Sequence, residues 1–404
     1  MLNRRNLLIL FFTLVVIMMG FGIIIPLLPF VLENFGGGGK ELGFLMAIFS
    51  IAQFIFSPIW GSISDRVGRK PILLIGAFGN ALAMLFFALS TELWMLYAAR
   101  GLAGILSSAT LPSAMAFIGD STDQKNRGGG MGVIGAAMGV GMVLGPGIGG
   151  TLAKFSMTLP FYVAAILSTI AMMLILLVLP ESLKKEQRST SRKISGLKLK
   201  TLWDALFGPL GYLMVLSFIV FFALTNFEGI FPMFTQQRYN YDSVQVGVVM
   251  VVVGVVSALV QGFLTGPLTR RFGERMVIKG SLIGSAVGFV LMIFAFNDLT
   301  VYLTVGFFVL GNAMLRPGIA SLVSRETVEG QGAALGLNNA FMSLGRIAGP
   351  IWAGFMLDIN LNLPYISGAV VMLVIFVVSF SWLRPKPSRE SVGELIIDTK
   401  SAAD

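Results

Sequence analysis

The chain has 404 residues, 55% of them hydrophobic and 12% charged, with a formal net charge of +9 and neither cysteine nor histidine. A soluble domain carries about 25% charged residues, so this composition cannot cover a globule with polar surface and points to a membrane protein. The two missing residue types exclude disulfides, thiol nucleophiles and the usual ligands of zinc or haem, and the basic residues sit in short segments between apolar runs, not in a nucleic-acid-binding patch.

Crossing a bilayer takes about 20 apolar residues. In chain order, the stretches that meet this lie near 7–32, 42–60, 72–90, 93–117, 128–153 and 159–180, then near 208–235, 244–268, 276–296, 299–323, 331–356 and 364–383. The first follows Arg4 and Arg5, is too long for a signal-peptide core and lacks a small-residue cleavage site, so it is expected to stay as a helix. The ten-residue alternation of barrel strands is absent, and backbone groups in lipid must be satisfied within each segment. The expected fold is therefore all-α, with twelve transmembrane helices.

Alternate loops hold Arg66, Arg69 and Lys70, then Lys125 and Arg127, then Arg270, Arg271 and Arg275, then Arg325. The other set holds only Lys40, Lys154 and Arg238. That asymmetry places both termini in the cytoplasm. The one long polar stretch, Glu181 to Lys200, is basic and Ser-rich and reads as a cytoplasmic linker, 181–207, between residues 1–180 and 208–404. The two parts echo each other: GSISDRVGRK (61–70) aligns with GPLTRRFGER (266–275), LGPGIGG (144–150) with AGPIWAG (348–354), Pro26 with Pro232 and Pro112 with Pro317. Two pseudo-symmetric six-helix bundles flanking a mid-membrane cleft are how many secondary transporters are built.

In the loop between the second and third spans, Gly61 and Gly68 bracket a tight turn that gathers Asp65, Arg66, Arg69 and Lys70. A merely positive-inside loop would need the basic residues but not the glycines or Asp65. A carboxylate there can pair with basic groups or with a helix N-terminus, which would latch one conformation. Arg100 lies roughly 12 Å into the fourth span, and Arg316 and Arg346 lie deeper in the tenth and eleventh. A cation near the bilayer centre costs about 2.5–3.5 kcal/mol even on the lenient scale, so these three are expected to face a wet cleft and find partners. The fifth span reads GVGMVLGPGIGG; Gly141, Gly145 and Gly149 allow close approach, and Pro146 allows bending. Packed against the eighth span, this helix is expected to seal the cytoplasmic side of the cleft.

Glu228 is the one acid well inside a span, whereas Glu33, Glu92, Asp298 and Asp358 fall at outer ends. Burial favours a protonated carboxyl and a nearby arginine favours a charged one, so a carboxylate held between the two can take up and release a proton. Phe and Met suit promiscuous apolar ligands. Polar residues within spans, Gln53, Asn226, Gln261, Asn312, Asn338 and Asn339, together with Phe227, Glu228, Arg316 and Arg346, form the expected cleft lining.

The 61–70 loop, RGLAG (100–104), GVGMVLGPGIGG (139–150) and FGIIIPLLP (21–29) together resemble the motifs of the major facilitator superfamily, and of its twelve-helix drug:proton antiporters in particular. Motif wording is most similar to the Gram-positive multidrug, fluoroquinolone-exporting branch. The resemblance covers the whole chain. It implies that Glu228, with Arg100 and Arg316, couples protons to transport, and that the fifth helix marks exporters. That branch often adds an acid in the tenth helix, one turn before an Arg-Pro pair; here Asn312 and Ala313 stand at that place. The expectation is a proton-driven exporter of lipophilic, often cationic compounds, acting as a monomer in the bacterial plasma membrane. It would be no enzyme, and would use neither metal nor cofactor beyond the proton gradient. The alternative is a proton-coupled exporter of a specific metabolite, sugar or glycolipid.

Overall fold

Each apolar run expected to span forms a helix. The computed structural model describes residues 4–188, 199–327 and 331–383. It contains twelve helices long and apolar enough to cross a membrane: α1 (Arg4–Glu33), α2 (Gly39–Val67), α3 (Arg69–Ala88), α4 (Leu93–Ser121), α5 (Gln124–Ala153), α6 (Leu159–Leu177), α7 (Gly211–Tyr239), α8 (Ser243–Phe272), α9 (Glu274–Ile293), α10 (Asp298–Glu326), α11 (Gln331–Ile359) and α12 (Leu363–Trp382). No strand occurs among the described residues. Linker residues 189–198, the tail 384–404 and the side chains of Lys125 and Arg127 lie outside the described residues. The described end of the linker forms a short helix, Leu199–Leu206.

Several helices outrun their apolar cores because polar loop residues continue the coil. α2 carries Asp65 and Arg66 in its last turn and stops at Gly68, whose φ of +113° only glycine adopts freely. Gly273, at φ +76°, makes the same joint between α8 and α9. Two spans are broken one turn before a proline, which cannot donate to the preceding turn. Ser107–Ala109 is a 3₁₀ turn ahead of Pro112, and α10 loosens at Ala313–Met314 ahead of Pro317. In α8 the residues Val260–Leu264 form a π-helical turn, closed by the Thr265 hydroxyl donating to the Val260 carbonyl at 2.9 Å.

In the first six spans α1 packs on α5 and α3 on α6; in the second six α7 packs on α11, and α9 on α10 and α12. The two sets meet chiefly through α2 with α11 and α5 with α8. Both seams are built from backbone. A Cβ on Gly43 would lie 2.4 Å from the Pro350 carbonyl oxygen, and one on Gly247 would lie 2.6 Å from that of Pro146. These contacts are copies of each other, each residue displaced by 204 positions. All of them lie toward the end opposite the 61–70 and 266–275 loops. Toward the loop end the halves part: a Cβ on Gly132, Gly135 or Gly139 of α5, Gly262 or Gly266 of α8, or Gly332 or Gly336 of α11 would meet nothing within 4 Å. The result is a cleft sealed at one end and open at the loop end.

Candidate functional site

Glu228 reaches this cleft from α7. It is partly exposed, and it makes no hydrogen bond or ion pair with any described residue. The cation whose field reaches it is Arg346 of α11, which in turn feels Arg316 of α10. Arg346 is anchored over the Phe221 ring, 4.9 Å from its centroid, which holds a guanidinium without a carboxylate partner. Thr225 stitches α7 to α11 beside it, donating to the Gly345 carbonyl at 3.3 Å. Arg316 is exposed although it sits mid-helix. One carboxylate and two guanidiniums thus share a region where an apolar ligand could dock and charge would be felt strongly. Gln53 of α2 is partly exposed, and Gln261 and Asn339 are exposed.

Other expected lining residues turn into the protein. Asn226 is fully buried and donates to the Pro364 carbonyl at 2.9 Å, tying α7 to α12. Phe227 is also fully buried, its ring 4.9 Å from Phe231 and 4.8 Å from Phe308. Asn338 accepts from Ser217 of α7 at 2.5 Å, and Asn312 is buried beside the break in α10. The helical spacing that put these residues in spans carries no information about which face they occupy.

Arg100 departs furthest from expectation. It is 1% exposed and touches no carboxylate. Its Nε donates to the Leu45 carbonyl at 3.1 Å, its Nη2 to the Met46 sulfur at 3.4 Å, and it lies 4.7 Å above Phe49 and 5.9 Å above Phe21. Its partners are a second acceptor site on a helical carbonyl and two π faces, so it clamps α4 to α2 and α1 away from the open cleft.

In the loop motif Arg69 is the hub. It donates to Asp65 at 2.5 Å and to Asp120 of α4 at 2.8 Å. Glu181 caps α3 by accepting from the backbone of Arg69 at 2.8 Å and Lys70 at 3.2 Å, while the Lys70 ammonium donates to the Leu176 carbonyl at 2.9 Å. Asp65, Asp120 and Leu176 belong to the first half and Glu181 is the first residue of the linker, so none of these partners comes from the second half. The expected latch is therefore closed on its own half, as the open cleft at this end requires. Gly61 and Arg66 complete the last turns of α2 beside it.

The α5 motif is two-faced. Gly141, Gly145 and Gly149 press on α1, where a Cβ would lie 2.6 Å from Val15 O, 2.6 Å from Met19 O and 3.2 Å from the Ile23 Cα. Pro146, Gly147 and Gly150 press on α8. The seam with α8 exists as expected, and it lies at the end opposite the loops. The close approaches run from Val143 to Gly150, and the loop-end half of α5 stands apart from α8.

Asp358, read from sequence as an outer-end acid, sits in the last turn of α11 and also reaches across the halves. It accepts from the backbone amides of Gly39 at 2.8 Å and Lys40 at 3.1 Å, the first amides of α2. The FGGGGK stretch that permits this approach is visible in the sequence, but its partner 319 residues away is not. Among the described residues no group of three or more acidic side chains gathers to hold a metal ion.

A sequence profile described as Major Facilitator Superfamily matches residues 10–265 and 213–398. Multidrug resistance protein 2 of Bacillus subtilis (strain 168) is 31% identical over 372 residues, covering 91% of this chain and 92% of the relative. The quinolone resistance protein NorA of Staphylococcus aureus (strain COL) is 29% identical over 379 residues, covering 92% and 96%. Among solved structures, the nucleoside transporter NupG superposes with a TM-score of 0.77 at 16% identity, over 95% of this chain and all of that one.

Proposed function

Because this chain belongs to the Major Facilitator Superfamily, we propose that it is a proton-coupled exporter of lipophilic, often cationic compounds in the bacterial plasma membrane. The chain is a multi-pass transporter with multidrug-efflux relatives, not an enzyme. In this reading residues 1–180 rock against 208–404 about the linker 181–207, with both termini cytoplasmic and one copy of the chain sufficient. The cleft open at the loop end is then open to the cytoplasm, where a substrate for export would enter.

The observation that carries the coupling is Glu228, an unpaired acid at the cleft under the field of Arg346. Proton and substrate binding would bias the same equilibrium, and linkage makes that bias mutual. Protonation removes the charge that holds a cationic substrate, and release restores it. Arg100 supports the scheme indirectly, by fixing α4, and Arg316 supports it through its field on Arg346. The expected result is that Glu228→Gln abolishes drug-dependent proton flux in proteoliposomes. Antiport at the wild-type rate in that variant would end the assignment.

Two guanidiniums beside one carboxylate also favour a second reading: a specific metabolite bearing an acidic or acceptor-rich group, with Arg316 and Arg346 as its anchors. Uptake by inverted vesicles confined to such compounds would favour it over broad efflux.

A further inference from the structure

The two seams that close the cleft are copies of one arrangement, yet their helix caps differ. In α8 the cap is local: Asp242 accepts from the amides of Val244 at 2.9 Å and Gln245 at 2.8 Å. The matching position in α2 is Gly38, which has no side chain to offer. Glu41 takes only the Gly38 amide, at 2.7 Å, and the next two amides are taken by Asp358 from the other half of the molecule. We propose that Asp358 is a positioning residue of the transport cycle, a carboxylate that caps α2 only while this end is sealed and so biases the halves toward the loop-end-open state.

The surroundings let the bond act as a latch. The backbones meet directly, because a Cβ on Gly354 would lie 2.1 Å from the Gly39 carbonyl oxygen and one on Gly39 would lie 2.6 Å from that of Gly354. Phe355, one turn from Asp358, lies edge-on to Phe44 at 5.8 Å and under the Lys40 ammonium at 5.5 Å. A carboxylate accepting two amides at the positive end of a helix makes charge-assisted bonds, the stronger kind. Parting the halves at this end would remove both acceptors from α2 at once. α8 would lose nothing comparable, since its own residue caps it. The asymmetry places the whole cap-dependent bias on α2 and α11.

The proposal rests on the rocking-halves reading, but its test is made without substrate, so failure of drug transport and failure of the latch are separate results. The chain has no cysteine, so Val67→Cys and Phe272→Cys at the loop ends of α2 and α8 accept one pair of spin labels in the full-length protein in lipid nanodiscs. Asp358→Ala is expected to shift the distance distribution toward the short, loop-end-closed population by about tenfold, within the 5–150-fold range usual for coupled sites. Adding Gly38→Asp supplies a local cap like that of α8. The backbone there is extended, and the nearest atom to a new Cβ, Asp358 Oδ1 at 3.2 Å, is gone in this background. The double variant should regain thermal stability while keeping the shifted distribution. An unchanged distribution in Asp358→Ala overturns the proposal, as does its full recovery on adding Gly38→Asp, which would make Asp358 a cap and nothing more. If Asp358→Ala does not fold, Asp358→Val, which likewise offers no acceptor, carries the same two outcomes.

Discussion

Gly247→Ala tests whether the backbone seam between α5 and α8 sets the equilibrium between the two ends of the cleft. The new Cβ would start 2.6 Å from the Pro146 carbonyl oxygen and 3.3 Å from the Gly150 Cα. Reaching ordinary contact near 3.4 Å requires a displacement of about 0.8 Å. No flexible side chain can absorb it, because the obstructing atom is the backbone of another helix. Overpacking of this kind costs about 1–3 kcal/mol. If the seam exists only while this end is sealed, the whole cost falls on that state and shifts the two populations by roughly 5–150-fold. The same label pair at positions 67 and 272 reads the shift as growth of the short-distance population. Gly262→Ala in the same helix, where a Cβ meets nothing within 4 Å, should leave the distribution alone. Identical distributions in the two variants would refute the idea that this seam is specific to one state.

Phe227 packs wholly inside the second half, so Phe227→Ala should cost about 3–5 kcal/mol of stability while leaving the substrate range of the folded fraction unchanged; a selective change in substrate range at full stability would put Phe227 in the cleft. At the sealed end, burial first and the hydrogen bond to Asp298 second push the Tyr241 hydroxyl up from its usual range. A group raised in the folded state lends its stability below its unfolded value, about 10 for tyrosine, and loses it as pH climbs toward the folded value. The difference in melting temperature between wild type and Tyr241→Phe should therefore hold steady from neutral pH to about 9 and narrow above 10.

Hydropathy alone located all twelve spans, because a lipid-facing backbone leaves helices as the available solution and length does the rest. It placed their loop ends short, since Asp65, Arg66, Arg270 and Arg271 are polar yet sit in continuing helical turns. That Glu228 and Arg316 are not packed away like core residues was legible, because charge deep in a span is costly anywhere but beside water. The burial of Asn226, Asn338 and Phe227 was not, for amides and rings are equally at home between two packed helices, and facing depends on partners far along the chain, such as Pro364, Ser217 and Phe308. Arg100 misled for a related reason: a guanidinium can be satisfied by a carbonyl and two aromatic faces, and neither appears in a list of charges. The end at which the seams lie was beyond the sequence too, because the same glycines would permit close approach at any height of the helix where a partner glycine stands opposite.

The π-helical turn in α8 explains a numerical irregularity between the two halves. At the sealed end Gly43 matches Gly247, 204 residues on, but at the loop end Gly61 matches Gly266 and Gly68 matches Gly273, each 205 on. Over that stretch α8 holds one residue more than α2. A regular helix turns about 100° per residue, so the extra one would have rotated the loop end of α8, carrying Arg270, Arg271 and the Gly273 joint to the wrong side. The wide turn at Val260–Leu264 stores the surplus residue as slack, and the helix leaves it in phase. α8 is thus an edited repeat with its correction still visible, and that correction sits between the seam that touches the other half and the loop end that does not.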